Sequence, residues 1–279
     1  ILIVVIILLG VGLTSIILWS SGFFPLEGNV ALIKIIGDIG SEESILAPGV
    51  SSSEIVEELE KAAEDPSIKA IVLEINSPGG SVVAINEISR KLAEINKPKI
   101  AWIREMGTSG AYWIATFCDK IIADEFSMTG SIGVTASYLE FSGFLQRYNI
   151  SYVRLVSGEK KDMGSPFKKP TEEELEIFKE IIKEVYDRFV EVVAKNRGLN
   201  ESFVRNISDG SIFSGRKALE LRLVDELGGE KEVKEAVKEL TGLKEVKFKE
   251  FGKKINILEL LSLFGRSQFL PIEKIRITV

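Results

Sequence analysis

The stretch GTSGAYWIA, residues 107–115, sets a serine between small residues where a β-rich run, KIAWIRE (99–105), gives way to a helical pattern. A hydroxyl presented at such a turn has the setting of a nucleophile. An earlier strand-to-helix turn, SPGGS (77–81), carries Gly79 and Gly80, whose missing side chains let backbone N–H groups approach a ligand. If both turns lie at one end of a parallel sheet, the amides of Gly80 and Gly110 converge beside the Ser109 hydroxyl and form an oxyanion hole. The plainer alternative is an N-cap serine and two ordinary glycine turns.

A serine nucleophile needs a base, and the 279 residues contain no histidine. With Cys118 the single cysteine, Ser-His-Asp triads, Cys-His dyads and zinc sites are excluded by inventory. Cys118, in ATFCDK, suits a buried small hydrophobe better than a reactive thiol. No DxDxDG loop is present to hold a hard metal, and neither metal nor cofactor is expected. The base must be lysine, aspartate or glutamate. Desolvation or nearby positive charge brings a lysine from about 10.4 toward neutrality at a cost of about 4 kcal/mol, and Ser-Lys chemistry is a known variant of the triad. Candidate lysines cluster in SGEKKDMGSPFKK (157–169), where Gly158, Gly164 and Pro166 interrupt any helix. Spacing leaves Lys160 and Lys161 equally open, and surface lysines in a loop are the alternative to both.

These residues must be positioned by an α/β scaffold, because from residue 29 onward short β-rich runs alternate with amphipathic helical patterns. VALIKIIG (30–37) predicts a strand, SSEIVEELEKAAED (52–65) a helix with serine caps, and IKAIVLEIN (68–76) a buried strand. A helix follows SPGGS to about Asn96. DKIIAD and GSIGV read as strands, SYLEFSGFLQRYN as a helix and SYVRLVS as a strand. Residues 170–198 predict one long charged helix, with Pro170 in its first turn, Gly198 at its end and a solvated outer face. A helix from Glu230, a strand near VKFKEF and an amphipathic helix near 256–264 complete the pattern.

Residues 1–19, ILIVVIILLGVGLTSIILW, carry no charge and are long enough as a helix to cross about 30 Å of hydrocarbon, with Trp19 as an interfacial anchor. The expected division is a transmembrane anchor at 1–22, a linker at 23–28 and a catalytic domain at 29–279. Lys34 is the first basic residue after the span, which favours a domain on the external side of the cell membrane. The formal net charge of −6 and the lack of a basic stripe argue against nucleic acid as a partner. Abundant Glu, Lys and Ile, with glutamine only at Gln146 and Gln268, suit a heat-loving source.

Taken in order, INSPGGS, TSGAYWIA, MTGSIGV and SGEKKDMGSP resemble the motifs of the signal peptide peptidase A family, membrane-anchored Ser-Lys peptidases of the ClpP/crotonase fold, over about residues 29–240. The resemblance implies a repeated ββα superhelix. It places the family's nucleophile on Ser109, its general-base lysine on Lys161 rather than Lys160, and the serine that hydrogen-bonds the lysine on Ser131. The oxyanion amides fall on Gly80 and Gly110. It further implies a homo-oligomer, in single-copy members a ring of eight with serine and lysine from neighbouring protomers, acting on remnant signal peptides and other unfolded hydrophobic peptides. Thr108, Ala111 and Trp113 depart from the common alanine, glycine and tyrosine of the family, which would reshape the pocket beside the serine.

Three other readings compete. A crotonase-fold acyl-CoA enzyme would work with carboxylates such as Glu74, Glu87 or Glu105, but the apolar N-terminus and the lack of a basic patch for CoA phosphates count against it. An NfeD-type membrane protease cutting stomatin-like proteins has a shorter serine-to-lysine spacing. A membrane-tethered scaffold with a decayed site would not need Ser109, Ser131 and Lys161 together.

Overall fold

A computed structural model describes residues 28–41 and 49–252. The expected transmembrane anchor, the linker up to residue 27 and the helix near 256–264 lie outside the described residues.

Ten strands and eight helices make up the described chain: β1 (Val30–Ile36), β2 (Asp38–Gly40), β3 (Gly49–Ser51), α1 (Ser52–Glu64), β4 (Ala70–Ser77), α2 (Val82–Glu94), β5 (Lys99–Thr108), α3 (Gly110–Ala115), β6 (Lys120–Ala123), β7 (Met128–Gly130), α4 (Ser142–Arg147), α5 (Glu172–Arg197), α6 (Glu201–Asn206), β8 (Ile212–Ser214), α7 (Gly215–Glu220), β9 (Glu226–Leu227), α8 (Glu230–Thr241) and β10 (Phe248–Phe251). The main sheet runs β10-β1-β4-β5-β6-β9 with every pair parallel; β7 adds to the far end of β5, and β8 lies antiparallel on β7. This is the mixed α/β architecture the alternation predicts.

The central strands are apolar on both faces, as strands covered on both sides must be. Along β1, Ala31, Ile33 and Ile35 face a core shared with Ile55 and Leu59 of α1, Ile88 of α2 and Ile114 of α3, while Val30 and Leu32 face Val233 and Val237 of α8. Helix α1 begins where the Ser51 hydroxyl accepts the Glu54 N–H, and buries Ile55, Leu59 and Ala62 at helical spacing. Helix α5 starts with a capping box between Thr171 and Glu174 and stops at Gly198, whose φ of 61° is left-handed. Pro170 therefore precedes the N-cap and is not in the first turn.

Two strand expectations fail for physical reasons. GSIGV is not a strand: β7 ends at Gly130, because Gly130 (φ 78°) and Ser131 (φ 50°) both leave extended geometry. SYVRLVS forms no strand either, since its alternation finds no neighbouring edge to pair with, and Val153 and Leu155 stay exposed. Of SYLEFSGFLQRYN only Ser142–Arg147 is helical.

Candidate active site

Strands β4 and β5 are parallel neighbours, with Ser77 opposite Gly107, so the turns that follow them lie side by side at the carboxyl end of the sheet. Ser109 comes immediately after β5 with φ 54° and ψ −126°, a conformation that favours glycine. Holding a serine there costs of order 1–3 kcal/mol, a cost that surrounding contacts must offset. Those contacts are present: the Ser109 N–H donates to Gly130 O at 2.8 Å, and the Ser109 carbonyl accepts the Trp113 N–H at 3.0 Å. The Ser109 side chain makes no capping bond to α3, so the N-cap alternative does not hold.

The glycines are packed too closely for any side chain. A Cβ on Gly79, itself at φ 108°, would stand 2.8 Å from the Gly110 nitrogen and 3.0 Å from Ser109 Cβ. A Cβ on Gly110 would stand 1.8 Å from Ile85 Cδ1. Gly80 bridges Ile39 of β2 through its neighbours: Ile39 N–H donates to Gly79 O at 2.9 Å, and Ser81 N–H donates to Ile39 O at 2.8 Å. In that parallel bridge the N–H of Gly80 itself points away from β2. The Gly110 N–H is the first of α3 and has no partner within the helix. Two backbone donors are thus brought beside Ser109 by the packing of one turn on the other.

Ser131 reaches the same place through β7. Pairing of Thr108 with Gly130 sets the two serines side by side, and the Ser131 N–H is fixed on Ser211 O at 2.8 Å. Gly80, Ser109, Gly110 and Ser131 together line a cavity of about 480 Å³. Its apolar wall is Val82, Ile85, Trp113, Val185, Tyr186 and Phe189, with the Trp113 and Phe189 rings 4.8 Å apart. The indole N–H of Trp113 is buried without a hydrogen-bond partner.

Sequence reasoning missed two parts of this cavity. Helix α5 is not merely a solvated packing helix, because Val185, Tyr186 and Phe189 form one wall; their i, i+1, i+4 spacing among many charges was the only signal. Among the described residues, Asp209 is the one carboxylate that lines it. The Ser211 hydroxyl and N–H hold the Asp209 carboxyl below the ordinary carboxylate range, so it is charged at neutral pH.

Lys161 is exposed and is not part of the cavity lining of its own chain. Its N–H closes a turn on Gly158 O at 3.0 Å, and its ammonium has no ion-pair partner among the described residues. Lys160 differs, being paired with Glu173 at 2.5 Å. None of the carboxylates of the acyl-CoA reading reaches the cavity: Glu74 pairs with Arg104 at 2.7 Å, Glu87 accepts the Ser52 hydroxyl at 2.5 Å, and Glu105 is exposed elsewhere. Cys118 is free and buried, and burial pushes its thiol far up, as a small core residue would be.

Residues 91–244 match the sequence model of Peptidase family S49. The chain is 37% identical over 207 residues to a protein of Enterococcus faecium provisionally named signal peptide peptidase SppA, covering 73% of this chain and 60% of that one. It is 34% identical over 218 residues to a protein of Methanocaldococcus jannaschii provisionally named a protease, MJ0651, covering 77% and 68%. Protease 4 of Haemophilus influenzae is 33% identical over 212 residues, covering 74% of this chain and 34% of its own length. The chain thus spans from about a third to two thirds of the length of these relatives.

Proposed function

This chain belongs to peptidase family S49, and we propose that it is a serine endopeptidase in which Ser109 is the nucleophile and Lys161 the general base. The observation that carries the reading is Ser109 itself: a serine in a strained, glycine-favouring conformation, its hydroxyl unused as a cap, lining a cavity with one apolar wall beside two backbone donors. A neutral Lys161 amine takes the Ser109 proton as the hydroxyl oxygen attacks the scissile carbonyl. The N–H groups of Gly80 and Gly110 hold the resulting oxyanion, and Ser131 orients the lysine. The same ammonium returns the proton to the leaving amine, and water then releases the acyl group.

Because Lys161 lies off the cavity of its own chain, a neighbouring copy supplies it, in a homo-oligomer of the ClpP/crotonase fold such as a ring of eight. The apolar wall suits unfolded hydrophobic peptides, remnant signal peptides among them, bound in extended form. The apolar N-terminal segment anchors the chain in the cell membrane with the catalytic domain outside.

The full chain in detergent, given an unfolded apolar peptide, should cleave it, and Ser109→Ala and Lys161→Ala should each abolish cleavage while Lys160→Ala retains most of it. Mixing the two dead variants should restore part of the activity. Absence of restoration in mixtures shown to have exchanged subunits would place serine and lysine in one chain.

A further inference from the structure

Asp162, the residue directly after Lys161, is held by charge-assisted contacts, while the Lys161 ammonium has no ion-pair partner among the described residues. We infer that Arg154, Asp162, Lys168 and Glu174 form a positioning network that fixes the loop carrying Lys161 to the first turn of α5; the inference rests on the peptidase reading above. Arg154 meets Asp162 with two prongs, Nε to Oδ2 at 2.7 Å and Nη2 to Oδ1 at 3.0 Å. Lys168 Nζ stands 3.5 Å from Asp162 Oδ1 and also donates to Glu174 Oε1. The other oxygen of Glu174 accepts the Thr171 N–H at 3.0 Å, which closes the capping box of α5. One run of charge-assisted contacts therefore leads from a 26-residue helix to the residue directly after Lys161.

The contacts are shielded where it matters. The side chains of Asp162, Lys168 and Glu174 are only 13%, 17% and 3% exposed, against 48% and 71% for the Lys160–Glu173 pair beside them. A sheltered, multiply bonded network holds one geometry, whereas an exposed single pair holds little. The backbone then passes the constraint on. The Lys161 N–H binds Gly158 O at 3.0 Å, the Met163 N–H binds Lys160 O at 3.2 Å, and the Ser165 N–H binds Asp162 O at 3.0 Å. In such consecutive turns Lys161 moves only with Asp162.

The arrangement also keeps carboxylates away from the base. Asp162 is engaged by Arg154 and Lys168, and Glu174 by Lys168, so neither is free to pair with Lys161 and hold it protonated. Helix α5, which carries the network at its start, walls the Ser109 cavity with Val185, Tyr186 and Phe189 just past its midpoint. Loop and cavity wall are thereby referred to one rigid element.

Full-chain Asp162→Asn, Lys168→Met and Lys168→Arg variants, assayed on the same apolar peptide, test the network. The Asp162→Asn and Lys168→Met variants should lose about tenfold or more in kcat with KM within about twofold, since a misplaced base costs turnover rather than binding. The Lys168→Arg variant, which keeps the charge and both contacts, should retain most of the wild-type rate. Wild-type kcat in both Asp162→Asn and Lys168→Met overturns the inference, as does a Lys168→Arg variant no faster than Lys168→Met. If Asp162→Asn fails to fold, the comparison of Lys168→Met with Lys168→Arg decides alone. Failure of the underlying reading looks different: wild-type chain would cleave nothing, or Ser109→Ala would cleave as fast as wild type.

Discussion

Ser109 and Ser131 leave adjacent parallel strands one residue after the pair Thr108–Gly130, and both do so at positive φ, 54° and 50°. Asn149 and Arg222 are the only other non-glycine residues described with positive φ, and neither lines the cavity. Two of the four described non-glycine residues at positive φ thus line one cavity, and at Ser109 the surrounding contacts must offset the cost. Replacing Ser109 by glycine should therefore raise stability by about 1 kcal/mol and abolish peptide cleavage in the same protein. Thermal unfolding and a peptide assay on one preparation check both halves. An equal or lower melting temperature in Ser109→Gly would mean that the strain released does not exceed the entropy glycine adds to the unfolded chain.

The two proposed oxyanion glycines should respond differently to a methyl group. On Gly110 the new Cβ would meet Ile85 Cδ1 at 1.8 Å, the end of a flexible side chain, whereas on Gly80 it would meet the Ile39 carbonyl oxygen at 2.0 Å, which is backbone. Gly110→Ala should lose about a hundredfold in kcat as the donor is displaced, and Ile85→Ala placed in the same chain should recover a good part of it. Gly80→Ala should lose at least as much, with no recovery from Ile85→Ala. Kinetics on the three single and two double variants would show whether the rescue is confined to Gly110.

How much of this was legible in the sequence follows from range. The turns at 77–81 and 107–110 are local events, an apolar run meeting glycine before a helical pattern, and both stand where the spacing placed them. Whether they met depended on β4 and β5 being parallel neighbours, which alternation suggests and only pairing decides. Ser131 is placed by the resemblance but reads as part of a strand, because GSIGV is apolar enough for one and the positive φ of Ser131, unlike that of Gly130, leaves no mark in residue type. SYVRLVS shows the opposite error, a strand pattern without a partner strand. The cavity wall on α5 was hidden because Val185, Tyr186 and Phe189 are outnumbered by charges on the same helix, and Asp209 because a lone aspartate in a turn carries no pattern at all.

Stability should depend on pH through Glu58, well away from the cavity. Burial, then the neighbouring Glu54 and Glu57 charges, raise its carboxyl from 4.5 to about 7, only partly opposed by Lys61. The folded protein therefore binds this proton more tightly than the unfolded chain does. The sign follows: the fold is favoured below about 4.5, loses that advantage as pH rises toward 7, and stays lower above it. Glu58→Gln, which cannot ionise, should melt a few degrees higher than wild type at pH 8 and match it near pH 4. A difference that is the same at both pH values would assign the effect to something other than ionisation.

Asp209 should set the charge preference of the cavity. It is the only carboxylate among the described residues of the lining, its oxygen is held by the Ser211 N–H at 2.9 Å, and Gly210 beside it donates to Ile132 O at 3.2 Å, so the carboxylate is fixed next to Ser131. The other described lining residues are apolar or uncharged, with the hydroxyls of Ser109, Ser131, Thr135, Tyr186 and Ser208 among them, so a peptide meets one fixed negative charge on an otherwise uncharged lining. An apolar peptide with a lysine or arginine close to the scissile bond should be cut faster than its aspartate counterpart, with the difference residing in KM because the charge is present before and during reaction. Reversal to Asp209→Lys should invert the order, and Asp209→Asn should erase it. Raising the salt concentration should shrink the preference in wild type, since the carboxylate is exposed to solvent. Matched peptide pairs differing in that one residue, assayed at low and high salt, make the measurement. A preference for basic peptides that survives Asp209→Asn would mean that some other group selects them.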